Sequence, residues 1–287
     1  MKTILVTGAC GQLGRALQEQ AASSPYRWLF TDIDTLDICT KDALAAYAKA
    51  NQLNYLVNCA AYTAVDKAED NETTCLRINS DAVRSIGEVA VQAGFKVIHI
   101  STDYVFDGTN SAPYVENDYT CPVSVYGRSK QTGELMLRAV CPEALIIRTS
   151  WLYSGTGANF VNTMLRVGRE NEEIRVVSDQ VGTPTYAGDL ASAIIAIIGC
   201  AEAGNFKPGI YHYSDEGVCS WYDFALKIFS LARIRCRVIP VDTKDYPTRA
   251  VRPQYSVLNK RKIKQTYGLS IPHWEESLKR MMKGLKA

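Results

Sequence analysis

Through the first half of the chain, short runs that are apolar at nearly every position alternate with stretches in which apolar residues return every three or four positions. Residues 3–7, 28–31, 55–58, 96–100 and 144–148 carry the first pattern, and residues 14–22, 42–50, 74–93 and 126–139 the second. The first predicts strands and the second amphipathic helices. Thr40 stands where it would cap the helix over 42–50, and Gly94 where it would end the one over 74–93. A strand that is apolar throughout is buried on both faces, and strict alternation of strand and helix makes its neighbours parallel. The expectation is an α/β chain built on a doubly wound parallel sheet.

Beyond residue 150 the order loosens. Helical spacing recurs over 160–167, 189–198, 221–231 and 274–282, with short strand-like runs near Val176, Tyr211 and Val238. This predicts a first unit over residues 1–150 and a smaller mixed α/β unit over 151–287, from which part of the chain crosses back. Residues 258–287 hold eight basic and two acidic side chains, but Trp274, Leu278, Met281, Met282 and Leu285 recur at helical spacing. The basic run therefore reads as the solvated face of an amphipathic helix.

Composition narrows the possible classes. Of 287 residues, 47% are hydrophobic and 22% charged, a globular mix that excludes disordered and fibrous chains. Lys plus Arg total 32 against 30 for Asp plus Glu, so no electrostatic case exists for binding nucleic acid. The longest nearly apolar run, 191–201, falls short of the roughly 20 residues a membrane span needs, and no membrane association is expected. After Met1-Lys2 the chain enters its first strand directly, without an export signal, which predicts a cytoplasmic protein. Nine scattered cysteines without a CxxC pair offer neither a disulfide framework nor a zinc site. They read as reduced small hydrophobes.

Candidate chemistry begins at residues 8–14, Gly-Ala-Cys-Gly-Gln-Leu-Gly, between the first strand and the first helix. Gly8, Gly11 and Gly14 permit a tight turn and close backbone approach, and the helix start offers N–H groups and a positive dipole end to an anion. The spacing is G-x-x-G-x-x-G, and the strand–loop–helix setting is what a dinucleotide pyrophosphate requires. The sheet is thus expected to be Rossmann-type, with 1–150 the dinucleotide-binding domain and 151–287 mainly the substrate-binding domain. Asp32, 18 residues past Gly14, suits an adenosine ribose and repels a 2′-phosphate, favouring NADH over NADPH. With Asp34 and Asp37 nearby, it also reads as a turn residue.

Tyr126 and Lys130 lie four apart in the helix over 126–139 and so share a face. A phenol with a pKa of about 10 becomes an acid–base catalyst at neutral pH when a cation stabilises its phenolate. Lys130 can supply that charge and also bond a nicotinamide ribose. Ser101-Thr102-Asp103 follows the fourth strand, so Thr102 can hold a carbonyl oxygen together with Tyr126.

These pieces, with Asn58-Cys59-Ala60-Ala61, resemble the extended short-chain dehydrogenase/reductases. Longer motifs narrow the likeness to the dTDP-4-dehydrorhamnose reductase family. They are residues 61–69 (Ala-Tyr-Thr-Ala-Val-Asp-Lys-Ala-Glu), 101–108 (Ser-Thr-Asp-Tyr-Val-Phe-Asp-Gly), 148–153 and 179–185, Gly133-Glu134 after Lys130, and Arg252-Pro253 with Ser256 and Leu258. The resemblance runs from residue 3 to about 260. It implies reduction of the C4 ketone of dTDP-4-dehydro-β-L-rhamnose by NADPH or NADH, the last step of dTDP-L-rhamnose synthesis. It sets Gly11, Gln12, Leu13, Asp32, Asp37, Ile38, Ala61, Tyr62 and Thr63 against the cofactor. Thr102, Asp103 and Trp151 would meet the nucleotide sugar, Trp151 offering a flat apolar face to a deoxysugar. Trp151 also reads as a core aromatic. Arg252 suits the diphosphate through its guanidinium fork, or else a surface ion pair. Some relatives dimerise around magnesium held by carboxylates, and Arg15 takes the position of one of these. No metal ligand is therefore expected, and the chain should be a monomer or a metal-independent homodimer. Two rivals share the core residues. The segments around Trp151 and Gln180 argue against a related nucleotide-sugar 4-epimerase or reductase. Intact Thr102, Tyr126 and Lys130 argue against a non-catalytic, dinucleotide-binding regulatory subunit.

Overall fold

The computed structural model describes residues 1–285. Its main sheet contains β1 (Thr3–Thr7), β2 (Arg27–Thr31), β3 (Tyr55–Asn58), β4 (Lys96–Thr102), β5 (Leu145–Thr149) and an edge strand, Gly209–His212. They lie in the order Gly209–His212, β5, β4, β3, β1, β2. Every neighbouring pair is parallel. The chain moves outward from β1 in both directions, which opens a crevice at the carboxyl ends of β1 and β3.

Alternating side chains feed two apolar layers. Ile4 and Val6 join α1 (Gln12–Ala21) and the helix Ala187–Glu202 on one face. Leu5 joins α2 (Lys41–Asn51) and the helices Ala82–Ala93 and Val125–Val140 on the other. A third cluster gathers Tyr153, Phe224, Ile228 and Leu278 among the helices Phe160–Glu170, Trp221–Ala232 and Trp274–Gly284. Beside it lies the parallel pair Glu173–Val177 and Arg237–Val241. Among the described residues no helix is long and apolar enough to cross a membrane.

Three local expectations change. Thr40 occupies the N-cap position of α2 without a side-chain capping bond, because its ψ of 89° departs from the extended geometry that aims a cap at the first turn. Leu285 is exposed although it continues the apolar spacing of the last helix. The helix expected over 74–93 is divided into Glu72–Leu76, a π-helical turn Arg77–Asp81, and Ala82–Ala93. The wider turn carries Asn79 and Ser80 inward. Asn79 Nδ2 donates to Ser129 Oγ at 2.9 Å, and Ser80 Oγ donates to the Ser129 carbonyl at 2.8 Å. Such turns recur at functional sites, and this one buttresses the helix that carries Tyr126.

Candidate active site

A cleft of about 1020 Å³ opens over the carboxyl ends of the strands. Its floor starts with the glycine loop. Gly8 has φ +67°, and a Cβ there would come within 2.6 Å of the Ala60 nitrogen. At Gly14 a Cβ would collide with the Gly8 carbonyl, so the loop folds back on bare backbone. Gly11 begins α1 with no side-chain cap and no acidic residue in the first turn, which leaves the positive helix end facing the cleft. Arg15 Nε donates to the Cys10 carbonyl at 2.9 Å. The cradle, the helix start and a carboxylate at the end of β2 fit a dinucleotide.

That carboxylate is Asp32. Its Oδ2 accepts the Cys10 N–H at 2.8 Å and its Oδ1 accepts the Ile33 N–H at 2.8 Å. Asp32 both lines the cleft and braces the loop, so the two readings of it each have a physical basis. Gln12, Leu13, Asp37, Ile38, Ala61 and Thr63 line the same cleft. Tyr62 does not. Its ring packs against the cluster of Ala68, Cys75 and Val125, because its backbone N–H and carbonyl are both tied to Asn79.

The side chains expected to carry the chemistry lie where β4 meets the Tyr126 helix. Ser124 Oγ accepts the Gly127 N–H at 3.1 Å and caps that helix at the cleft. The Tyr126 phenol shares the cleft with Thr102 and feels its hydroxyl. Burial raises the phenol's pKa, the Thr102 hydroxyl lowers it, and Asp103 adds to the rise. Asp103 is itself pushed up to about 6 by burial, with Ser256 and Thr102 opposing. Thr102 Oγ1 donates to its Oδ1 at 3.0 Å.

Lys130 lines the cleft and is buried. Its Nζ donates to the Ile100 carbonyl at 2.7 Å and lies 3.4 Å from His99 Nε2; no bond to Tyr126 is formed. A buried amine takes the nearest acceptor, and the end of β4 supplies it. Burial brings the Lys130 pKa down to about 8. One turn along, Glu134 pairs with Arg148 through Nη2–Oε2 at 2.7 Å and Nε–Oε1 at 3.0 Å, both side chains being almost wholly buried. Ser101 Oγ also donates to Glu134, so the ion pair ties β4, β5 and the Tyr126 helix together.

Aromatic residues wall the far end. Trp151 adopts φ +47°, a left-handed conformation rare for a bulky residue and marked at functional sites. Trp221 stacks on its indole at 3.6 Å between centroids, 8° from parallel. That stack covers one face of the Trp151 indole, and Trp151, Trp221 and Phe160 all line the cleft. Sequence reading missed Trp221 and Phe160. The one signal near Trp221 is the capping box of Ser220 and Asp223, which announces a helix but not where its first residue points. Arg252 lines the cleft and pairs with Asp66 at 2.6 Å, so its two readings coexist.

Comparison with known proteins narrows what this cleft belongs to. The family profile described as RmlD substrate binding domain matches residues 1–287. A dTDP-4-dehydrorhamnose reductase of Aggregatibacter actinomycetemcomitans is 41% identical over 287 residues, 97% of this chain and 98% of that protein. The chain belongs to the dTDP-4-dehydrorhamnose reductase family. Solved dTDP-4-dehydrorhamnose reductases share its fold. The Clostridium acetobutylicum structure gives a TM-score of 0.94 at 40% identity, covering 99% of this chain and 100% of its own. The Bacillus anthracis structure, in complex with NADP, gives 0.93 at 38% identity with the same coverage. The family and the Rossmann-type sheet read from the sequence therefore agree with the comparisons and the fold.

Proposed function

We propose that this chain reduces the C4 ketone of dTDP-4-dehydro-β-L-rhamnose to dTDP-L-rhamnose with NADPH or NADH, the last step of dTDP-L-rhamnose synthesis. The observation that carries this reading is the convergence of Thr102, Tyr126 and Lys130 on a cleft that also holds the glycine loop. Bound along that loop, a nicotinamide supplies hydride to C4. Burial keeps the Tyr126 phenol protonated at neutral pH, so Tyr126 can deliver its proton to the C4 oxygen. Thr102 positions that oxygen beside the phenol. The charge of Lys130, buried beneath, stabilises the resulting phenolate. Arg252, its charge part-balanced by Asp66, faces the diphosphate, and Trp151 with Trp221 closes the sugar end. Nine free thiols suit a reducing compartment, and we assign the reaction to the cytosol.

The test is cofactor oxidation in the presence of the 4-keto sugar nucleotide, generated enzymatically from dTDP-glucose. Formation of dTDP-rhamnose with stoichiometric oxidation of NADPH or NADH is expected. Turnover of other nucleotide sugars alone, or no oxidation of either cofactor, would overturn the reading.

Two further outcomes follow from single residues. Asp32→Ala should shift the kcat/KM ratio toward NADPH by removing a carboxylate that opposes a 2′-phosphate. An unchanged ratio would leave Asp32 as a loop brace only. Arg15 carries a fixed positive charge where some relatives carry a magnesium ligand, so EDTA should alter neither activity nor the mass measured by light scattering. A dimer that dissociates in EDTA would contradict this.

A further inference from the structure

From Lys130 a buried chain of polar side chains, His99, Asn58 and Thr7, runs across the sheet, and the proposed reduction does not use those three. His99 on β4 lies between Lys130 and Asn58 at the end of β3. Its Nε2 is 3.4 Å from Lys130 Nζ, and its Nδ1 is 3.0 Å from Asn58 Nδ2. The Thr7 hydroxyl on β1 donates to Asn58 Oδ1 at 2.7 Å. All four side chains are buried.

The direction of this chain follows from what each group can donate. Thr7 occupies the Asn58 oxygen, so the Asn58 amide nitrogen faces His99. An amide nitrogen only donates, so His99 Nδ1 accepts, and the neutral imidazole carries its proton on Nε2. That N–H faces Lys130. A neutral amine accepts it through its lone pair while still donating to the Ile100 carbonyl. An ammonium has only donors, and N–H then faces N–H.

We infer that His99, oriented by Asn58, is a positioning residue that sets the pH at which Lys130 gains its proton, by bonding the neutral amine and opposing the ammonium.

The surroundings leave His99 room to act in this way. Burial also disfavours the ammonium, so it works in the same direction as His99. Against them stand Glu134 on the same helix, Cys75 on Glu72–Leu76 and Cys59 past β3. Glu134 is already paired with Arg148. Burial pushes the Cys59 thiol up to about 12 and raises Cys75 too, so both stay neutral at physiological pH. Tyr126, on the same face, is held protonated by its own burial. His99 remains uncharged because burial and the Lys130 charge both lower its pKa.

Two measurements test this without relying on catalysis. Long-range ¹H–¹⁵N correlation spectra of the wild-type protein should show His99 neutral with its proton on Nε2, and a proton on Nδ1 would overturn the inference. The second follows the ¹³Cε shift of Lys130 with pH in lysine-labelled protein, assigned by its loss in Lys130→Arg. In His99→Gln the side-chain oxygen can turn to the ammonium, so the midpoint should rise by at least one pH unit, a tenfold gain in proton affinity. An unchanged or lower midpoint in folded His99→Gln would also overturn it. The catalytic consequence rests on the reductase reading: the alkaline limb of kcat/KM should fall near the wild-type Lys130 midpoint and move up with it in the variant. If the NMR midpoints move but the 4-keto sugar nucleotide is not reduced, the reductase reading fails and the assignment to His99 stands.

Discussion

Tyr126→Phe is expected to lower kcat by at least about 10²-fold, the loss typical of removing a general acid, while cofactor affinity changes little. In the proposed reaction the phenol meets the carbonyl oxygen beside Thr102, at the end of β4, and not the pyrophosphate. Phenylalanine preserves the ring and its edge contact with Tyr104, 5.5 Å between centroids, so the fold should be undisturbed. Steady-state turnover and a fluorescence titration with the dinucleotide check the two halves of the statement. Turnover near the wild-type rate would remove Tyr126 from the chemistry.

Glu134→Ala should have the largest effect on stability. Its partner Arg148 is buried, and removing one member of a buried ion pair leaves an uncompensated charge at a cost of about 3–5 kcal/mol. At about 2 °C or more per kcal/mol, Tm should fall by on the order of 10 °C. Ser101 loses its acceptor in the same variant, so turnover should fall as well, because Ser101 directly precedes Thr102. Replacing both partners, as Glu134→Leu with Arg148→Met, should recover much of the stability, since apolar side chains of similar volume are often no worse than a buried pair. A loss of less than about 2 °C in Glu134→Ala, the size expected of under 1 kcal/mol, would show the pair to be dispensable.

The sheet was legible because β1, β3 and β5 are buried at every position, which leaves their character unambiguous in the sequence. The glycine loop and the Tyr126–Lys130 pair were legible for a different reason: their chemistry is local, and a few residues of spacing carry it. What failed to show depends on distant partners. Tyr62 lies between two cleft-lining residues yet packs elsewhere, because Asn79 holds its backbone from across a π turn. Trp221 covers Trp151 from a helix far along the chain. Lys130 binds a backbone carbonyl, which no side-chain motif can encode. His99 sits inside a strand-like run where its neighbours made it look like filler.

The edge strand Gly209–His212 also sets a timetable for synthesis. β5 is bounded on one side by β4 and on the other by this strand, which the ribosome adds only after about 60 more residues. At roughly 5–20 residues per second that is a delay of about 3–12 seconds. Until then the outer edge of Leu145-Ile146-Ile147 presents unpaired backbone groups on an apolar strand, a template for another nascent chain. The portion bearing the glycine loop and Tyr126 therefore spends its first seconds as the sticky part of the polypeptide. Covering that edge falls to a strand with no place in the proposed chemistry.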